Sequence, residues 1–285
     1  MSEANGKLPV SVFLITKDCG RWLDQVLEPL ADFAEIVVLD SGSQDDTLAI
    51  AERHGAIIHH QDFLGFGAQK QAALELCTQP WVFNLDGDEV IDDTLREAIV
   101  RLVRQDDPTI IGAEVRIRDW FIGVPAPRAS RPIRRVRLFR RERGRFLARQ
   151  IVHESVQLDA DGGRVVSLPG WIKHYGVESV ALRIDKINLY SSYRAEQDLA
   201  RGKEPSALKL FLVFPFRFLK SYLLRRTILA GRRGLIQAMA NAHYAFLIEA
   251  KKFELRETER LERQAARNGK KPGPGAEGQE RDSQR

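Results

Sequence analysis

The stretch Trp81-Val82-Phe83-Asn84-Leu85-Asp86-Gly87-Asp88 places two aspartates directly after an apolar run. The run has the character of a buried strand, and ligands of open α/β sheets bind outside the carboxyl ends of strands. Carboxylates at such an end suit a hard divalent cation, because Mg²⁺ commonly takes one or two carboxylates together with substrate phosphates. Asp-Gly-Asp is also ordinary turn chemistry, so this stretch alone leaves a metal site and a plain turn open.

The first ninety residues alternate strand and helix patterns around that stretch. Strand patterns cover 10–16, 36–40, 56–59 and 81–86, and helical patterns cover 21–30, 45–54 and 67–77. Strands separated by helices of about ten residues indicate a parallel sheet with crossover helices. From 110 to 166 the strand patterns are shorter and have a period of two. They predict a smaller mixed or antiparallel region beside the parallel sheet.

Composition limits the class of protein. The chain has 285 residues, a formal net charge of +5 and a pI near 9.3. Two cysteines cannot form a disulfide framework or a cysteine-rich zinc site, so we expect two unpaired thiols. The N-terminus has no apolar h-region, so we expect no secretory signal. Basic residues crowd 128–149 and 201–233, which indicates a polyanionic partner such as nucleic acid, anionic lipid or a phosphorylated substrate.

The second half of the chain is predicted to be mostly helical. The apolar segment 208–219 is interrupted by Lys209, Pro215 and Arg217, and it is too short for a spanning helix, which needs about 20 apolar residues. The residues after Pro215 form a basic amphipathic pattern. Such a helix lies in a membrane interface or packs against a core, and both alternatives stay open. The polar segment 264–285 is expected to be a disordered tail.

Two further residues fit a phosphorylated ligand. Asp40 ends the second predicted strand, so it should face the same crevice as Asp86, where it could accept hydrogen bonds from a ribose or base or merely cap a turn. The segment Gly65-Phe66-Gly67-Ala68-Gln69-Lys70 resembles half of a dinucleotide fingerprint, but Lys70 stands where the third glycine is needed. A nicotinamide enzyme is therefore not favoured. Lys70 is expected near a phosphate or, alternatively, on a solvated helix face.

Glu154 and His174 are the remaining candidates for chemistry. His153-Glu154 is not a zinc-protease motif, because Gln157 occupies the place of the second histidine. Glu154 could act as a general base or form a structural ion pair with a nearby arginine. His174 could bind a metal or belong to the core.

Taken together, these segments resemble family 2 glycosyltransferases of the GT-A fold, and are most similar to the lipopolysaccharide inner-core β-1,4-glucosyltransferase-like branch. The resemblance covers roughly residues 9 to 255 and is carried by 13–17, 36–47, 65–74, 85–90, 137–140, 152–156 and 174–175. It implies a Rossmann-like, mostly parallel sheet flanked by helices as a nucleotide-sugar-binding catalytic domain over 9–175. A helical, basic, membrane-associating region would follow over 176–263, and the tail over 264–285.

The same resemblance implies roles for individual residues. Substrate-binding residues would be Thr16, Asp40 near the uridine, Lys70 near the phosphates and Asp86 near the ribose. Asp88 and His174 would hold Mg²⁺ or Mn²⁺, and Glu154 would be the catalytic base. The chain departs from the family pattern at Asp18-Cys19, where Asn-Glu is usual, and at Gln71, where Asn is common. These departures could alter nucleotide or donor-sugar preference.

The implied function is inverting, metal-dependent transfer of a hexose from a nucleotide sugar, expected to be UDP-linked, to a lipid-linked or phosphorylated glycan of the lipopolysaccharide core. The implied location is the cytoplasmic face of the inner membrane, where the protein would contact an anionic surface. No nucleic-acid partner is expected. The alternative is a non-catalytic membrane- or nucleic-acid-binding protein that retains the fold, which the basic run 134–145 suggests. Phe139 and Phe146 are too few aromatics there for a base-stacking platform.

Overall fold

The computed structural model describes residues 6–127, 132–147, 155–159, 161–177 and 179–267. The segment 8–177 contains, in chain order, β1 (Leu8–Thr16), α1 (Gly20–Leu27), β2 (Phe33–Asp40), α2 (Thr47–Arg53), β3 (Ile57–His60), α3 (Phe66–Glu75), β4 (Trp81–Asn84), β5 (Glu89–Ile91), α4 (Asp93–Gln105), β6 (Ile110–Phe121), β7 (Val124–Pro125), β8 (Ile133–Arg140), β9 (Gly144–Arg145), β10 (Gln157–Leu158), β11 (Arg164–Ser167) and β12 (Ile172–Val177). The helices α5 (Val180–Ala200), α6 (Ala207–Leu219) and α7 (Gly231–Arg267) follow.

Ten of the strands form one mixed sheet in the order β3-β2-β1-β4-β8-β6-β12-β5, with β7 and β11 also paired to β6. The pairs among β1, β2, β3 and β4 are parallel, as the alternating pattern predicts. Strand β8 inserts antiparallel between β4 and β6. The sheet is therefore mixed rather than mostly parallel. The shorter strands extend the parallel sheet instead of packing beside it, because β8 satisfies the backbone groups along the open edge of β4.

The sheet is buried on both faces, which explains the nearly continuous apolar runs of its central strands. In β1, Val12 and Leu14 belong to the cluster that packs under α1 and α4, whereas Phe13 belongs to the cluster under α3. Successive strand side chains point to opposite faces, so each apolar residue of the run has a core to fill. This packing fixes the carboxyl ends of β1, β2 and β4 at one edge.

The C-terminal helices form an assembly in which both α5 and α6 pack on α7. The hydroxyls of Ser179 and Ser206 cap the starts of α5 and α6. Pro215 lies inside α6, a π-helical turn follows over Lys220–Leu224, and Arg226 has a left-handed φ of 58° before α7 begins. Within the described ranges, no helix has both the length and the hydropathy required to traverse a bilayer.

Many large apolar side chains of α6 and the α6–α7 connection are exposed. Phe211 is the most exposed, at 79% of its surface. The exposed hairpin face, as we call this surface, comprises Leu208, Phe211, Leu212, Phe216, Leu219, Leu223, Leu224, Ile228 and Leu229. The helix α7 continues to Arg267, and the rest of the predicted tail lies outside the described residues.

Candidate active site

The strand-end crevice predicted from the alternation is present. Thr16 and Asp40 end neighbouring strands in direct register, and the Thr16 hydroxyl donates a hydrogen bond to Asp40 Oδ1 at 2.8 Å. Strand β4 pairs with β1 on its other side, so Asp86 follows at the same edge. The two predicted carboxylates thus lie on either side of the end of β1.

Asp40 is buried and fully hydrogen-bonded within the protein. The amides of Gly42 and Ser43 donate to Oδ2, both at 2.8 Å, and the Ser43 hydroxyl adds a bond to Oδ1. Burial opposes ionisation of this carboxyl, but the bonds from Ser43, Thr16 and Gly42 outweigh it and hold the pKa of Asp40 below its usual value. The Asp40 carboxylate therefore holds the loop 41–43 in place, which is the alternative role of a turn residue. Gly42 in this loop stays exposed at the edge of the sheet.

Asp86 is held by two cations. Lys70 Nζ lies 2.9 Å from Asp86 Oδ1, and Arg137 Nη2 lies 3.1 Å from Oδ2. The Lys70 side chain is only 5% exposed, so the solvated-helix alternative for Lys70 is wrong. About a third of the Asp86 side chain, 34%, stays exposed. Asp86 is thus fixed in orientation while one part of its surface can still meet a ligand.

Arg137 extends this network to a second carboxylate. Its guanidinium donates to Glu89 Oε1 at 2.5 Å and to Asn84 Oδ1 at 2.8 Å, and all three side chains are buried. The Glu89 carboxylate in turn accepts the Asp86 amide at 3.1 Å, and the Glu89 amide donates to the Asp86 carbonyl at 3.0 Å. The Asp-Gly-Asp stretch is therefore a turn as well as a carboxylate site, and Glu89 closes it.

The pKa values of the two carboxyl groups in this network shift in opposite directions. Burial alone would raise the pKa of Asp86, but the charges of Lys70 and Arg137 reverse this and lower it far below its usual value. Burial raises the pKa of Glu89 to about 7, and the neighbouring charge of Asp86 adds to the rise while Arg137 opposes it. Asp86 is thus the group that keeps its charge under all ordinary conditions.

Asp88 and His174 face each other across a small gap. His174 Nε2 lies 3.6 Å from Asp88 Oδ1, and the Asp88 carbonyl accepts the Tyr175 amide at 2.9 Å. A Cβ at Gly176 would stand 2.5 Å from His174 Nε2 and 2.7 Å from Asp88 Oδ2. Glycine at this position therefore keeps the space between the imidazole and the carboxylate open.

His174 is oriented from behind by Asp119. Its Nδ1 lies 2.8 Å from Asp119 Oδ1, because β12 and β6 pair with His174 opposite Asp119. Burial would lower the pKa of His174, but the Asp119 hydrogen bond and the charges of Asp88 and Glu89 raise it to about 9. The carboxylates of Asp88 and Asp119 thus favour the protonated form of His174. The side chain is 31% exposed, so the core alternative does not describe it.

The residues around the gap fit a divalent cation. A metal-bound histidine usually gives its other ring nitrogen to a carboxylate, which is the Asp119–His174 arrangement, and the Gly176 position leaves room between the two donors. Across the described part of the chain, no group of three His, Cys, Asp or Glu side chains forms a complete metal cage. Two protein donors are consistent with a cation whose remaining ligands are water and substrate phosphates.

The residues that depart from the family pattern, Asp18, Cys19 and Gln71, make contacts that support the local structure. A Cβ at Gly87 would stand 2.7 Å from Cys19 Sγ, so Cys19 packs against the turn that carries the aspartates. Asp18 Oδ1 accepts the Gln44 amide at 2.8 Å, which ties the β1–α1 loop to the loop after β2. Gln71 Oε1 accepts the Phe146 amide at 2.8 Å. Both cysteines are free thiols, as predicted.

Three arginines of the first basic stretch bind carboxylates of the protein itself. Arg134 pairs with Glu114 at 2.9 Å, Arg140 pairs with Asp106 at 2.8 Å, and Arg137 is buried in the carboxylate network. Arg135 and Arg145 are exposed, so the expectation that the basic residues of 128–149 meet a polyanionic partner stays a prediction. Residues 128–131 and 148–154, which include the predicted base Glu154, lie outside the described residues.

Sequence reasoning missed Arg137, Glu89 and Asp119 as site residues. Arg137 and Glu89 both lie in segments that carry the family resemblance, and charged residues inside apolar strand patterns were the available signal. Asp119 had no local signal, because its role follows from the pairing of β6 with β12.

Comparison with known proteins shows the family of the chain. The family model for Glycosyl transferase family 2 matches residues 11–158. The chain is 37% identical over 254 residues to the lipopolysaccharide core biosynthesis glycosyltransferase LpsC of Rhizobium meliloti, covering 87% of this chain and 93% of that protein. It is 28% identical over 250 residues to the glycosyltransferase RP128 of Rickettsia prowazekii, covering 85% and 86%.

Solved structures give more distant matches. Staphylococcus aureus TarS with UDP-GlcNAc is 16% identical over 92% of each chain, with a TM-score of 0.42. The mannosyltransferase PcManGT of Pyrobaculum calidifontis, with GDP-Man and Mn²⁺, is 15% identical over 93% of this chain and 82% of that chain, with a TM-score of 0.43. Those ligands belong to the neighbours. The family match and the homology to LpsC show that this chain is a glycosyltransferase and belongs to family 2.

Proposed function

We propose that the protein is an inverting, divalent-cation-dependent hexosyltransferase that moves a sugar from a UDP-linked donor to a lipid-linked glycan of the lipopolysaccharide core. The observation that carries the proposal is the charged site in which Asp86, fixed by two cations, adjoins the Asp88–His174 gap. The lipopolysaccharide part rests on homology to LpsC. We assign catalysis to residues 9–175 and membrane association to 176–263.

The donor side of the site would be arranged by Asp86 and the 41–43 loop. The exposed part of Asp86 can accept hydrogen bonds from ribose hydroxyls, and its orientation is set by Lys70 and Arg137. Thr16 and Asp40 would act on the uridine through the loop they fold, because their own polar atoms are already bonded to one another. Pre-organised groups of this kind lose little entropy when the donor binds.

Asp88 and His174 would hold the cation, with Asp119 fixing the imidazole. When bound, Mg²⁺ or Mn²⁺ neutralises charge that builds on the leaving diphosphate. The Lys70 amine, although paired with Asp86, adds positive potential on the same side. Binding at His174 requires loss of the Nε2 proton, so the carboxylate partner at Nδ1 keeps the ring in the tautomer that a metal needs.

The chemical step we propose is a single displacement. Glu154 accepts the proton of an acceptor hydroxyl while that oxygen bonds to the anomeric carbon, and the bond from the anomeric carbon to the diphosphate oxygen breaks with its electron pair. The nucleoside diphosphate leaves and the anomeric configuration inverts. The transition state resembles the oxocarbenium ion of glycoside hydrolysis, and a positioned base contributes about 10²–10⁴-fold.

A donor screen tests the proposed activity. The full-length protein, core oligosaccharide and Mn²⁺ are incubated with a panel of UDP-, GDP- and CMP-linked sugars, and the product is followed by mass spectrometry. We expect transfer from one UDP-hexose, loss of transfer in EDTA and its recovery with added Mn²⁺. NMR of the product should show inversion. Retention of configuration, or full turnover in EDTA, would overturn the respective part of the proposal.

The exposed hairpin face supports attachment to an anionic membrane. Between Glu204 and Glu249 the chain has no acidic residue, and its cations there are Lys209, Arg217, Lys220, Arg225, Arg226, Arg232 and Arg233. None of these cations forms an ion pair with another described residue. An apolar surface rimmed by cations suits the headgroup region, where each Lys or Arg contributes about 1 kcal/mol. We place the protein on the cytoplasmic face of the inner membrane.

Replacing Phe211 with aspartate is expected to weaken this attachment. Burying a phenylalanine in an apolar phase contributes about 2 kcal/mol, so partitioning into vesicles should fall at least about 30-fold. Sedimentation with phosphatidylglycerol-containing vesicles measures it, with phosphatidylcholine vesicles as the neutral comparison.

The matched control is Phe253→Asp. Phe253 is also exposed, at 55%, but it lies about 33 Å along α7 from its start. Equal binding of both variants and the wild type would show that the exposed hairpin face is not the membrane surface.

A further inference from the structure

A ladder of aromatic rings and guanidinium groups adjoins the Asp88–His174 gap. Trp22 stacks on Tyr175 with ring centroids 4.3 Å apart and planes 9° apart, and Tyr175 lies 5.3 Å from Trp120. The Arg118 guanidinium lies 5.9 Å from both the Trp120 and the Trp171 ring, and Arg116 lies 4.5 Å from Trp171. We call these six residues the aromatic ladder.

The ladder is connected directly to the residues of the gap. Tyr175 follows His174, and its amide donates to the Asp88 carbonyl at 2.9 Å. Trp120 follows Asp119, whose carboxylate binds His174 at 2.8 Å. Successive strand side chains point to opposite faces of a sheet, so the Trp120 ring is not on the face of Asp119. Trp120 and Tyr175 nevertheless lie near the carboxyl ends of β6 and β12, which run parallel to each other and, through β8, to β4. A molecule lying on these rings would therefore border the strand-end crevice of the proposed transfer.

The rings of the ladder are half-buried, unlike a core aromatic. Trp22, Trp120, Trp171 and Tyr175 all keep part of their surface exposed, whereas Trp81 is 1% exposed. Three of the four tryptophans in the chain are therefore on this surface. Trp and Tyr provide a rigid apolar face with a polar edge, and saccharides, with their apolar C–H faces and hydroxyl rims, match that combination.

The ladder also concentrates positive charge. Arg118 lies opposite Lys173 in the pairing of β6 with β12, and Arg116 is two residues away on the same strand. Like charges side by side on neighbouring strands are unfavourable. Backbone carbonyls of Gly170 and Ala126 accept from the Nε groups of Arg116 and Arg118, at 3.2 and 2.8 Å, and so hold both guanidiniums in place. Fixed guanidiniums suit a phosphate group.

We propose that the aromatic ladder is the acceptor subsite, and that it binds a phosphorylated saccharide with a sugar face on the half-exposed Trp120 ring and a phosphate at Arg118. This inference rests on the proposed function and adds the residues that select the acceptor. It adds a second source of recognition to the basic stretch 128–149, in which Arg134, Arg137 and Arg140 are engaged by the protein's own carboxylates.

The test uses core oligosaccharide in its phosphorylated form and after enzymatic dephosphorylation. Each is titrated into the full-length protein with UDP and Mn²⁺ while tryptophan fluorescence is recorded, and transfer kinetics are measured in parallel. We expect the phosphorylated form to bind at least about tenfold more tightly. Trp120→Ala and Arg118→Met should each raise the acceptor KM about tenfold or more and leave the affinity for UDP unchanged. Trp120→Phe should retain most of the binding, and Phe253→Ala serves as the control.

The outcomes separate the two proposals. If the wild type transfers sugar but the Trp120 and Arg118 variants match the control, the acceptor subsite is overturned and the function stands. If no donor supports transfer but the oligosaccharide binds in a phosphate-dependent way that Trp120→Ala removes, the subsite is supported and the proposed function fails. If neither transfer nor binding occurs, both are overturned.

Discussion

Replacing Asp88 with alanine is expected to reduce sugar transfer by about 10³-fold or more, because about 4 kcal/mol of charge stabilisation on the leaving diphosphate depends on the cation. The fold should persist, since Asp88 takes no part in the buried pairing of Lys70, Arg137, Asp86 and Glu89. The measurements are kcat/KM for transfer and the affinity for Mn²⁺ in the presence of UDP, by calorimetry. Both should fall together, and the unfolding temperature should stay near that of the wild type.

Asp93→Ala is the matched control for Asp88. Asp93 is an exposed aspartate in the first turn of α4, a few residues further along the chain. Its loss removes a favourable interaction with the helix dipole of about 0.3–1 kcal/mol and should leave transfer unchanged. If Asp88→Ala keeps wild-type turnover and Mn²⁺ affinity, the cation is not held at the Asp88–His174 gap.

The part of the site that follows from local pattern could be predicted from the sequence. The alternation of strands and helices places Asp40 and Asp86 after parallel neighbours of β1, and carboxyl ends of parallel strands share one edge. No knowledge of distant contacts is needed for this step. The hydrogen bonding of the Asp40 carboxylate could not be predicted, because it depends on the backbone amides of Gly42 and Ser43.

Residues whose roles depend on non-local strand pairing could not be predicted. Asp119 reaches His174 only because β6 and β12 pair in one particular register across 55 residues. A shift of one residue would turn Asp119 to the other face of the sheet. Likewise, β8 enters antiparallel beside β4, and this pairing brings Arg137 to Asp86. From the sequence alone, Arg137 would be expected on the surface, but its side chain is only 10% exposed.

Replacing Arg137 with methionine is expected to lower the free energy of unfolding by about 3–5 kcal/mol, because it leaves buried Glu89 without its cation and removes one of the two cations of Asp86. Urea unfolding at pH 7 measures the loss. Arg134→Met on the same strand is the control: Arg134 is 49% exposed and pairs with Glu114, so its loss should cost less than about 1 kcal/mol. Equal losses in the two variants would contradict a stabilising buried network.

The pH dependence of the Arg137→Met effect gives a second, independent check. The pKa of Asp86 is lowered by Lys70 and Arg137, so its ionised pairing stabilises the protein above pH 3.8, the usual pKa of the group, and is lost as the pH falls through the lowered value. The difference between wild type and variant should therefore shrink in acid. Adding Glu89→Gln to Arg137→Met should restore part of the stability at pH 7, because Asp86 stays paired with buried Lys70 and glutamine carries no charge. A double variant as unstable as Arg137→Met would mean that Arg137 stabilises this edge of the sheet by packing and its bond to Asn84 rather than by its pairing with Glu89.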